Sequence, residues 1–507
     1  MSKAKFALAA FVWLIILAVG AMLYRLWWVP AKDQQQRQAE AEVVAQTSGT
    51  SNYKHHVKLG LDGFSGYAIL RSDEMASQLR AHGIKLETVD DGADYGKRLA
   101  GLADGSLHLA AFPIDALLKA SQAKNALPAT IIAIIDETRG ADALVAYRAK
   151  FPNIDSLNST DTKFVLVGDS PSETLLRVLM HDFKLEQVKT SSIVSVKDSA
   201  SVLARYRAAA PAGNEVFVTW EPIVSQLLEN DQMHVLVDSS RQSGYIVDAL
   251  VASRDFLVKN ETVVRQIVEA YFRALHAYND PQRLEELVIR DAQAASAPVT
   301  AVQAKRLVNG IAWKNTQENL AHFGLRTANV SHVEDMIDRI KRVLTDTGGL
   351  SADPTGGDSK RLFFEAILRE IQASGFHPGI QPEEIRQAAS LVELTDEHWK
   401  KLEPVGTISV PPLVFARGQA TLSEASHSIL DELAEKLSSW PQYYVLVRAN
   451  VGSRGDMSIN RRIADQRVQS VLQYLQSKGV PVAKLKSVPG EILDNMSVSF
   501  VFGQLPY

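Results

Sequence analysis

The chain of 507 residues contains no cysteine. This absence excludes disulfide bonds, thiolate metal sites, a cysteine nucleophile and the lipidated N-terminal cysteine of a bacterial lipoprotein. Any attachment to a membrane must therefore come from the polypeptide itself.

Excess charge of one sign is also absent, since the formal net charge is only -4. Such a chain lacks the excess positive charge that binds a polyanion, so we expect no nucleic-acid partner. The 12 histidines are scattered, and no Ser-His-Asp, HExxH or phosphate-loop pattern occurs. We therefore expect no metal, no cofactor and no enzymatic activity.

The N-terminal segment has a long uncharged run, from Phe6 to Tyr24, after two lysines. Roughly 20 apolar residues suffice to cross a bilayer. Residues 1–30 are therefore predicted to form a single transmembrane anchor in a bacterial inner membrane, with the bulk of the chain in the periplasm. The alternative is a cleavable signal peptide, for which Ala18-Val19-Gly20 offers small residues. Both interpretations give the same compartment.

Beyond the anchor, the length predicts two or three folded units. Residues 31–53 are rich in Gln, Ala, Glu and Ser, lack an apolar face and are predicted to be a stalk. From residue 54 to residue 375, short apolar runs alternate with helical patterns. This alternation indicates α/β architecture.

Two stretches of the α/β region resemble each other. In each, a strand ends at a polar turn, and a later strand ends at an aromatic residue before a helix. Asp62 precedes Phe112 by 50 positions, and Asp169 precedes Trp220 by 51. This internal echo predicts two similar α/β lobes in series. Because ligands in open α/β sheets lie beyond the carboxyl ends of the strands, the four turns are predicted to line a cleft.

The candidate ligand-binding residues lie at these four turns. Ser170, with Pro171 and Glu173 after it, predicts a capped helix start whose free N–H groups and positive dipole end suit an anionic ligand. Each candidate also has a structural interpretation, as a turn former, a cap or a buried lobe residue. The full set is Gly63, Phe64, Ser65, Tyr67, Phe112, Asp115, Asp169, Ser170, Ser172, Trp220 and Glu221.

The order of these features resembles a known family. The Gly-Phe-Ser-Gly-Tyr turn at residues 63–67, Gly105-Ser106-Leu107, Gly140-Ala141-Asp142 and Trp220-Glu221-Pro222 are similar to the periplasmic substrate-binding proteins of the nitrate, sulfonate and taurine type. The resemblance implies a type II periplasmic binding protein over residues 54–375, whose two lobes close over a small solute for an ABC permease. Thiamine-pyrimidine synthases of similar fold use cysteines and histidines at an iron site, and this chain has no cysteine.

The last part of the chain changes pattern. Residues 376–406 contain three prolines around a short amphipathic helix ending near Trp399 and are predicted to be a connector. Residues 407–507 are predicted to form an α+β domain. Its predicted elements are a strand at Leu413–Phe415, a helix capped by Ser423, a strand at Tyr443–Ala449, a helix at Asp456–Lys478 and a strand at Ser497–Phe502.

This second pattern resembles the OmpA-like peptidoglycan-binding fold. The likeness is carried by Phe415, Gly418, Leu422, Leu430, Gly455, Asp456, Asn460, Ile463, Ala464, Arg467 and Gly479. In that family an Asp and an Arg grip the diaminopimelate of the cell wall. The resemblance places the Arg at Arg467 and makes Asn460 and Arg467 the candidate peptidoglycan-binding residues, but the Asp position falls on Gly452. It therefore implies the fold and leaves peptidoglycan binding open, because half of the charged clamp is missing. Arg467 could instead form a surface ion pair with Asp456 or Asp465.

Together these features predict a membrane-tethered periplasmic protein that captures a small anionic solute, with an OmpA-like domain that contacts the cell wall or an envelope partner. The alternative is an envelope scaffold or sensor whose lobes no longer bind solute. A cleft filled by the protein's own side chains would favour that alternative. The sequence leaves open the solute, the permease and the oligomeric state.

Overall fold

The computed structural model describes residues 53–122, 127–295, 297–386, 391–416, 418–493 and 497–505. The predicted anchor and nearly all of the predicted stalk lie outside these residues. Within the described ranges, every helix is too short or too polar to cross a membrane. The described residues divide into two compact units, one of residues 53–56 with 80–85 and one of the remainder.

Backbone and side-chain hydrogen bonds hold the described part of the smaller unit. The Lys54 N–H donates to the Gly83 carbonyl at 2.6 Å, and Arg80 Nε donates to the Tyr53 hydroxyl at 3.3 Å. Gly83 has a φ of 68°, which glycine adopts without steric cost. The rest of both lobes and the C-terminal domain belong to the larger unit.

The strands form three sheets. In chain order they are β1 (His55–Leu61), β2 (Ile84–Asp90), β3 (Leu109–Pro113), β4 (Ala129–Thr138), β5 (Asp142–Tyr147), β6 (Lys163–Val167), β7 (Ile193–Val196), β8 (Glu215–Trp220), β9 (Met233–Asp238), β10 (Val247–Ser253), β11 (Ile311–Trp313), β12 (Glu403–Thr407), β13 (Tyr444–Gly452), β14 (Leu485–Leu493) and β15 (Ser497–Gln504).

The α-helices lie between and around these strands. In chain order they are α1 (Ala68–Arg71), α2 (Asp73–Ala81), α3 (Tyr95–Asp104), α4 (Ile114–Ser121), α5 (Pro171–Asp182), α6 (Ser199–Ala208), α7 (Ile223–Leu227), α8 (Arg254–Lys259), α9 (Glu261–Ala277), α10 (Pro281–Ala294), α11 (Ala301–Gly310), α12 (Thr316–His322), α13 (Val333–Asp346), α14 (Ala366–Ala373), α15 (Asp396–Lys400), α16 (Glu424–Ser439) and α17 (Met457–Ser477).

Each lobe has its own sheet. Lobe 1 has the strand order β11-β4-β10-β3-β1-β2, and lobe 2 has the order β7-β6-β8-β5-β9. In lobe 1, β1 pairs with β3 in parallel, and in lobe 2, β6 pairs with β8 in parallel. The internal echo of the sequence thus corresponds to two equivalent pairs of strands. The chain enters lobe 2 between β4 and β5 and returns to lobe 1 between β9 and β10.

The strand β4 shows why these residues form the middle of lobe 1. Its sequence, ATIIAIIDET, is rich in isoleucine, and all ten residues are buried. Isoleucine packs well on a pleated surface, and a strand covered on both faces becomes a continuous apolar run. Helix α9 covers the core with an apolar face that includes Ile267, Tyr271 and Phe272.

The C-terminal domain is a four-stranded sheet, in the order β12-β15-β13-β14, with α16 and α17. The two predicted helices and the strands β13 and β15 are confirmed within a few residues. The predicted strand at Leu413–Phe415 does not form, since only an isolated bridge joins Phe415 to Leu422. Two strands were not predicted, and one of them, β12, begins within the predicted connector.

The C-terminal domain shares a buried aromatic cluster with lobe 2. Trp440 is fully buried, and its ring centroid lies 5.4 Å from that of Phe183 and 5.8 Å from that of Phe502. The Trp440 indole N–H donates to Asp182 Oδ2 at 2.7 Å. The backbone continues the contact, since the Lys184 N–H donates to the Thr407 carbonyl at 2.9 Å. The domain is therefore packed on lobe 2 by buried side chains.

Candidate functional site

The two lobes meet where α4 of lobe 1 faces the start of α5 of lobe 2. Asp115 Oδ2 accepts a hydrogen bond from the Thr174 hydroxyl, and both residues are buried. One turn further along α4, Lys119 Nζ lies 3.2 Å from Glu173 Oε2 and 3.8 Å from Asp169 Oδ1. Predicted site residues from both lobes therefore come together, and the protein's own side chains join them.

The start of α5 differs from the prediction in its capping. Ser170 is the N-cap residue, but its hydroxyl donates to the Val167 carbonyl at 2.6 Å and does not cap the helix. Glu173 Oε2 instead accepts from the Asp169 N–H at 2.7 Å. Burial opposes ionisation of Glu173, but Lys119 and Arg177 hold its pKa below the usual value. The positive end of the helix is therefore faced by carboxylates, so it is not a free anion site.

The turn at residues 63–67 packs against lobe 1 itself. Gly63 is exposed, Phe64 and Ser65 are half-buried, and Tyr67 is buried with its hydroxyl donating to Asp248 Oδ1. A Cβ on Gly66 would lie 2.4 Å from Asp136 Oδ2, so the backbone approaches that carboxylate as only glycine allows. The turn therefore positions Tyr67 and Gly66 against two buried acids.

Trp220 and Glu221 lie at the end of β8 in lobe 2. Trp220 is half-buried and pairs with Asp142 of β5. Glu221 is buried, and its carboxylate accepts from the Ser225 hydroxyl at 2.8 Å and from the Ser225 N–H at 3.1 Å. Glu221 thus accepts hydrogen bonds from the first turn of α7, the helix that follows it. This contact fits the structural role, as a cap, that was the alternative to ligand binding for this residue. Phe112 is fully buried in β3.

Three buried acids of the lobe interface were not predicted from the sequence. Asp136 lies directly opposite Asp248 in the antiparallel pair of β4 and β10, and Asp142 begins β5. Each of these carboxylates is fully buried, and burial is the largest cause that raises its pKa. For Asp142, burial together with the charges of Asp248 and Asp115 raises the pKa to about 8.

A sequence signal for these acids existed. Each stands at the end or the start of a buried apolar run, as Asp115 does after β3. The predicted site residues lie at the turns after parallel strands, whereas Asp136, Asp142 and Asp248 lie on the strands next to the crossings between the lobes.

Arg98 is the buried cation of lobe 1. Its guanidinium donates to Asp62 Oδ2 at 2.9 Å, to both Asp91 oxygens and to the Ala111 carbonyl. Burial disfavours the charge of Arg98, but its hydrogen bond to Asp91 and the charge of Asp62 raise its pKa above the usual value. Because its donors are already engaged by lobe 1, this arginine positions the Asp62 turn.

The two residues predicted for peptidoglycan binding hold loops of their own domain. Asn460 Nδ2 donates to the Gly452 carbonyl at 3.0 Å and to the Arg454 carbonyl at 2.8 Å. Arg467 is buried, its Nε donates to the Gln419 carbonyl at 3.0 Å, and its guanidinium lies 4.6 Å from the Phe415 ring centroid.

A cavity of about 500 Å³ lies away from the predicted site, where the C-terminal domain meets lobe 2 and α13. Charged groups of both signs line it, among them Asp182, Arg339, Arg342 and Glu435. Across the described residues, no group of three or more histidine and acidic side chains is placed to hold a metal ion.

Comparison with known proteins identifies two regions of the chain. Residues 79–284 match the NMT1/THI5-like family, and residues 414–491 match the OmpA family. No curated protein matches the chain.

Several solved structures are similar to the two lobes. A ligand-binding component of an ABC-type import system from Staphylococcus aureus is 13% identical, with a TM-score of 0.47, over 62% of this chain and 99% of that one. The periplasmic aliphatic sulphonate-binding protein SsuA from Escherichia coli is 14% identical, with a TM-score of 0.47, over 67% and 96%. The desulfurization enzyme DSZB is 12% identical, with a TM-score of 0.42, over 64% and 100%.

The two family matches fall on the two parts that the structure shows, a pair of α/β lobes and an α+β C-terminal domain. The chain is therefore similar to the NMT1/THI5-like family within its two lobes and to the OmpA family within its C-terminal domain.

Proposed function

We propose that the protein is an envelope solute-binding protein whose lobes close over a small molecule between α4 and α5. The observation that carries this proposal is the contact of Asp115 from lobe 1 with Thr174 from lobe 2, beside the buried Ser172. These residues lie at the carboxyl ends of strands, where open α/β folds bind ligands. A solute would replace the contact between the lobes with its own hydrogen bonds.

The remaining parts of the proposal concern attachment and partners. Residues 1–30 anchor the protein in the inner membrane by one helix, residues 31–53 form a stalk, and the solute-binding region spans 54–375. After the connector at 376–406, residues 407–507 contact the cell wall or an envelope protein. An ABC permease receives the solute. The uncharged N-terminal run and the two family matches support this arrangement.

The sequence predicted an anionic solute, whereas the solute that we propose carries no negative charge. That expectation depended on free N–H groups and an unopposed positive dipole at the start of α5. In the structure, Asp115 and Glu173 already face this end of the helix. An anion there would have to displace Glu173 from Lys119 and from the Asp169 N–H.

A specific observation favours the alternative, a scaffold or sensor. The lobes are held together by the protein's own side chains, through Lys119 with Glu173 and Thr174 with Asp115. If this contact never opens, the lobes form a fixed platform for an envelope partner.

Native mass spectrometry of the purified full chain separates the two candidates. A solute-binding protein is expected to carry a small molecule that is lost in a Ser172→Phe variant, because Ser172 is fully buried beside the contact between the lobes. The melting temperature of the variant verifies that it folds. A small molecule retained equally by both proteins would place its site elsewhere, and two proteins without any bound molecule would favour the scaffold.

A further inference from the structure

The charges of the cleft indicate what kind of solute it takes. Four buried carboxylates, those of Asp115, Asp136, Asp142 and Asp248, come from both lobes and from the strands that join them. Asp136 and Asp248 face each other across two paired strands, and the charges of Asp115 and Asp248 both act on Asp142. The four groups are therefore one electrostatic cluster.

No basic side chain neutralises this cluster directly. Within the described ranges, no nitrogen of lysine, arginine or histidine lies within 4.0 Å of any of the four carboxylates, because the nearby cations pair elsewhere. Lys314 pairs with Glu137 at 2.9 Å, Arg98 with Asp62 at 2.9 Å and Lys119 with Glu173 at 3.2 Å. Lys119, Lys314 and Arg98 act on these acids only from a distance, and burial raises the pKa of all four, so they tend to hold their protons. A cation bound among them would let them ionise.

Several buried polar atoms of the same interface also lack partners. Asp115 Oδ1, Ser172 Oγ and Thr219 Oγ1 are fully buried and have no hydrogen-bond partner among the described residues. Thr219 pairs with Ala143 in β5, immediately beside the pairing of Trp220 with Asp142. Because buried polar groups are nearly always bonded, a solute with hydrogen-bonding groups would satisfy these atoms, and Asp115 Oδ1 would take a donor from it.

We infer that the solute is a small organic cation, with an ammonium or amidinium group that the buried carboxylates of the cleft bind. The inference rests on the proposed solute-binding function and specifies its substrate class. A charge-assisted hydrogen bond to a carboxylate needs both a positive charge and a directional N–H donor. An ammonium or amidinium group supplies both.

The test uses the full chain and two probes with the same four-carbon chain and opposite charge, n-butylammonium and 1-butanesulfonate. Each is added at millimolar concentration, and the melting temperature and the heat of binding are measured. We expect n-butylammonium alone to raise the melting temperature, because a ligand that binds only the folded state stabilises it. In Asp248→Asn its affinity is expected to fall by at least about tenfold, since one charge-assisted bond is lost.

Asp231→Asn is the matched control, because Asp231 is exposed in lobe 2. If Asp248→Asn does not fold, Asp142→Asn makes the same test from lobe 2. Stabilisation by 1-butanesulfonate alone would overturn the cationic substrate class and leave the solute-binding function standing. Equal binding of n-butylammonium by the wild type and the cleft variants would place the cation elsewhere and overturn the inference. Stabilisation by neither probe would also overturn it, while a molecule found by native mass spectrometry would still support the solute-binding function.

Discussion

The titration of Asp142 is determined by its burial and by the absence of a cation paired with it among the described residues. Burial and the charges of Asp248 and Asp115 raise the pKa of Asp142 to about 8, against a weaker opposing hydrogen bond from Thr138. The folded pKa lies above that of the unfolded chain, so the folded state holds this proton more tightly. Its stabilising contribution is complete below about pH 4 and is lost as the pH rises through about 8.

Replacing Asp142 by asparagine should remove this pH dependence. Between about pH 5 and about pH 7, the wild-type protein is expected to lose up to about 1.4 kcal/mol of stability per pH unit relative to Asp142→Asn. Urea unfolding followed by circular dichroism at several pH values measures this difference. Asp231→Asn is the control, and parallel pH profiles of wild type and Asp142→Asn would contradict the buried position of this carboxyl.

Gly66 tests the close approach of the turn at residues 63–67 to Asp136. A methyl group there would lie 2.4 Å from Asp136 Oδ2 and 2.3 Å from a Phe64 ring carbon, whereas a methyl group on Gly63 would meet nothing within 4 Å. Gly66→Ala is therefore expected to cost about 1–3 kcal/mol, as overpacking in a core does. Gly63→Ala is the matched control and should leave the melting temperature nearly unchanged. Equal melting temperatures of the two variants would contradict the close approach.

The site could be predicted only in part from single residues. Asp115 and Ser172 could be predicted because each comes just after a parallel strand, where open α/β sheets bind ligands, and the structure brings both to one interface. Asp142 and Asp248 join them because the chain crosses twice between the lobes and pairs β10 with both β3 and β4. These pairings connect residues more than a hundred positions apart, so no local pattern specifies them.

Among the elements, α5 joins the cleft to the C-terminal domain. It begins at Pro171 beside the contact between the lobes and ends at Asp182, which accepts from the Trp440 indole. Lys436 Nζ lies 3.4 Å from the same aspartate. One helix of 12 residues therefore spans the distance between the candidate site and the domain interface.

Asp182→Ala should loosen this interface. The substitution leaves the buried Trp440 N–H without its acceptor, at a cost of about 1–3 kcal/mol. Hydrogen exchange is expected to become faster in β12 and α16. Asp456→Ala is the comparison, since Asp456 caps α17, and it should affect only the first turn of that helix. Unchanged exchange in β12 and α16 of Asp182→Ala would contradict the role of this contact.

The elements that could be predicted are those with strong local patterns. Helices α16 and α17 have capping residues and apolar periodicity, and the echo strands are short apolar runs. Strand β12 contains Pro404 and Gly406, which disfavour strands, and it forms because β15 pairs with it. Strand β14 contains Pro489 and Gly490 and pairs in parallel with β13. Tertiary pairing overrides local propensity in both strands.

For the whole molecule, the lobes and the C-terminal domain are linked by contacts of different strength. The domain shares a buried aromatic cluster with lobe 2, whereas polar groups join the lobes at α4 and α5. Polar contacts can be exchanged for water or a ligand at small net cost, and buried aromatic contacts cannot. We therefore expect the lobes to open while the domain stays on lobe 2.

The distance between the lobes tests this account most directly. The chain has no cysteine, so Ala103→Cys in α3 of lobe 1 and Ala208→Cys in α6 of lobe 2 provide the two sites for spin labels. Both positions are exposed. Double electron–electron resonance is then measured in the otherwise wild-type chain and with Lys119→Ala, which removes the ion pair to Glu173. We predict one short distance in the first protein and an added longer distance in the second. Identical distributions would contradict an opening cleft and favour the fixed scaffold.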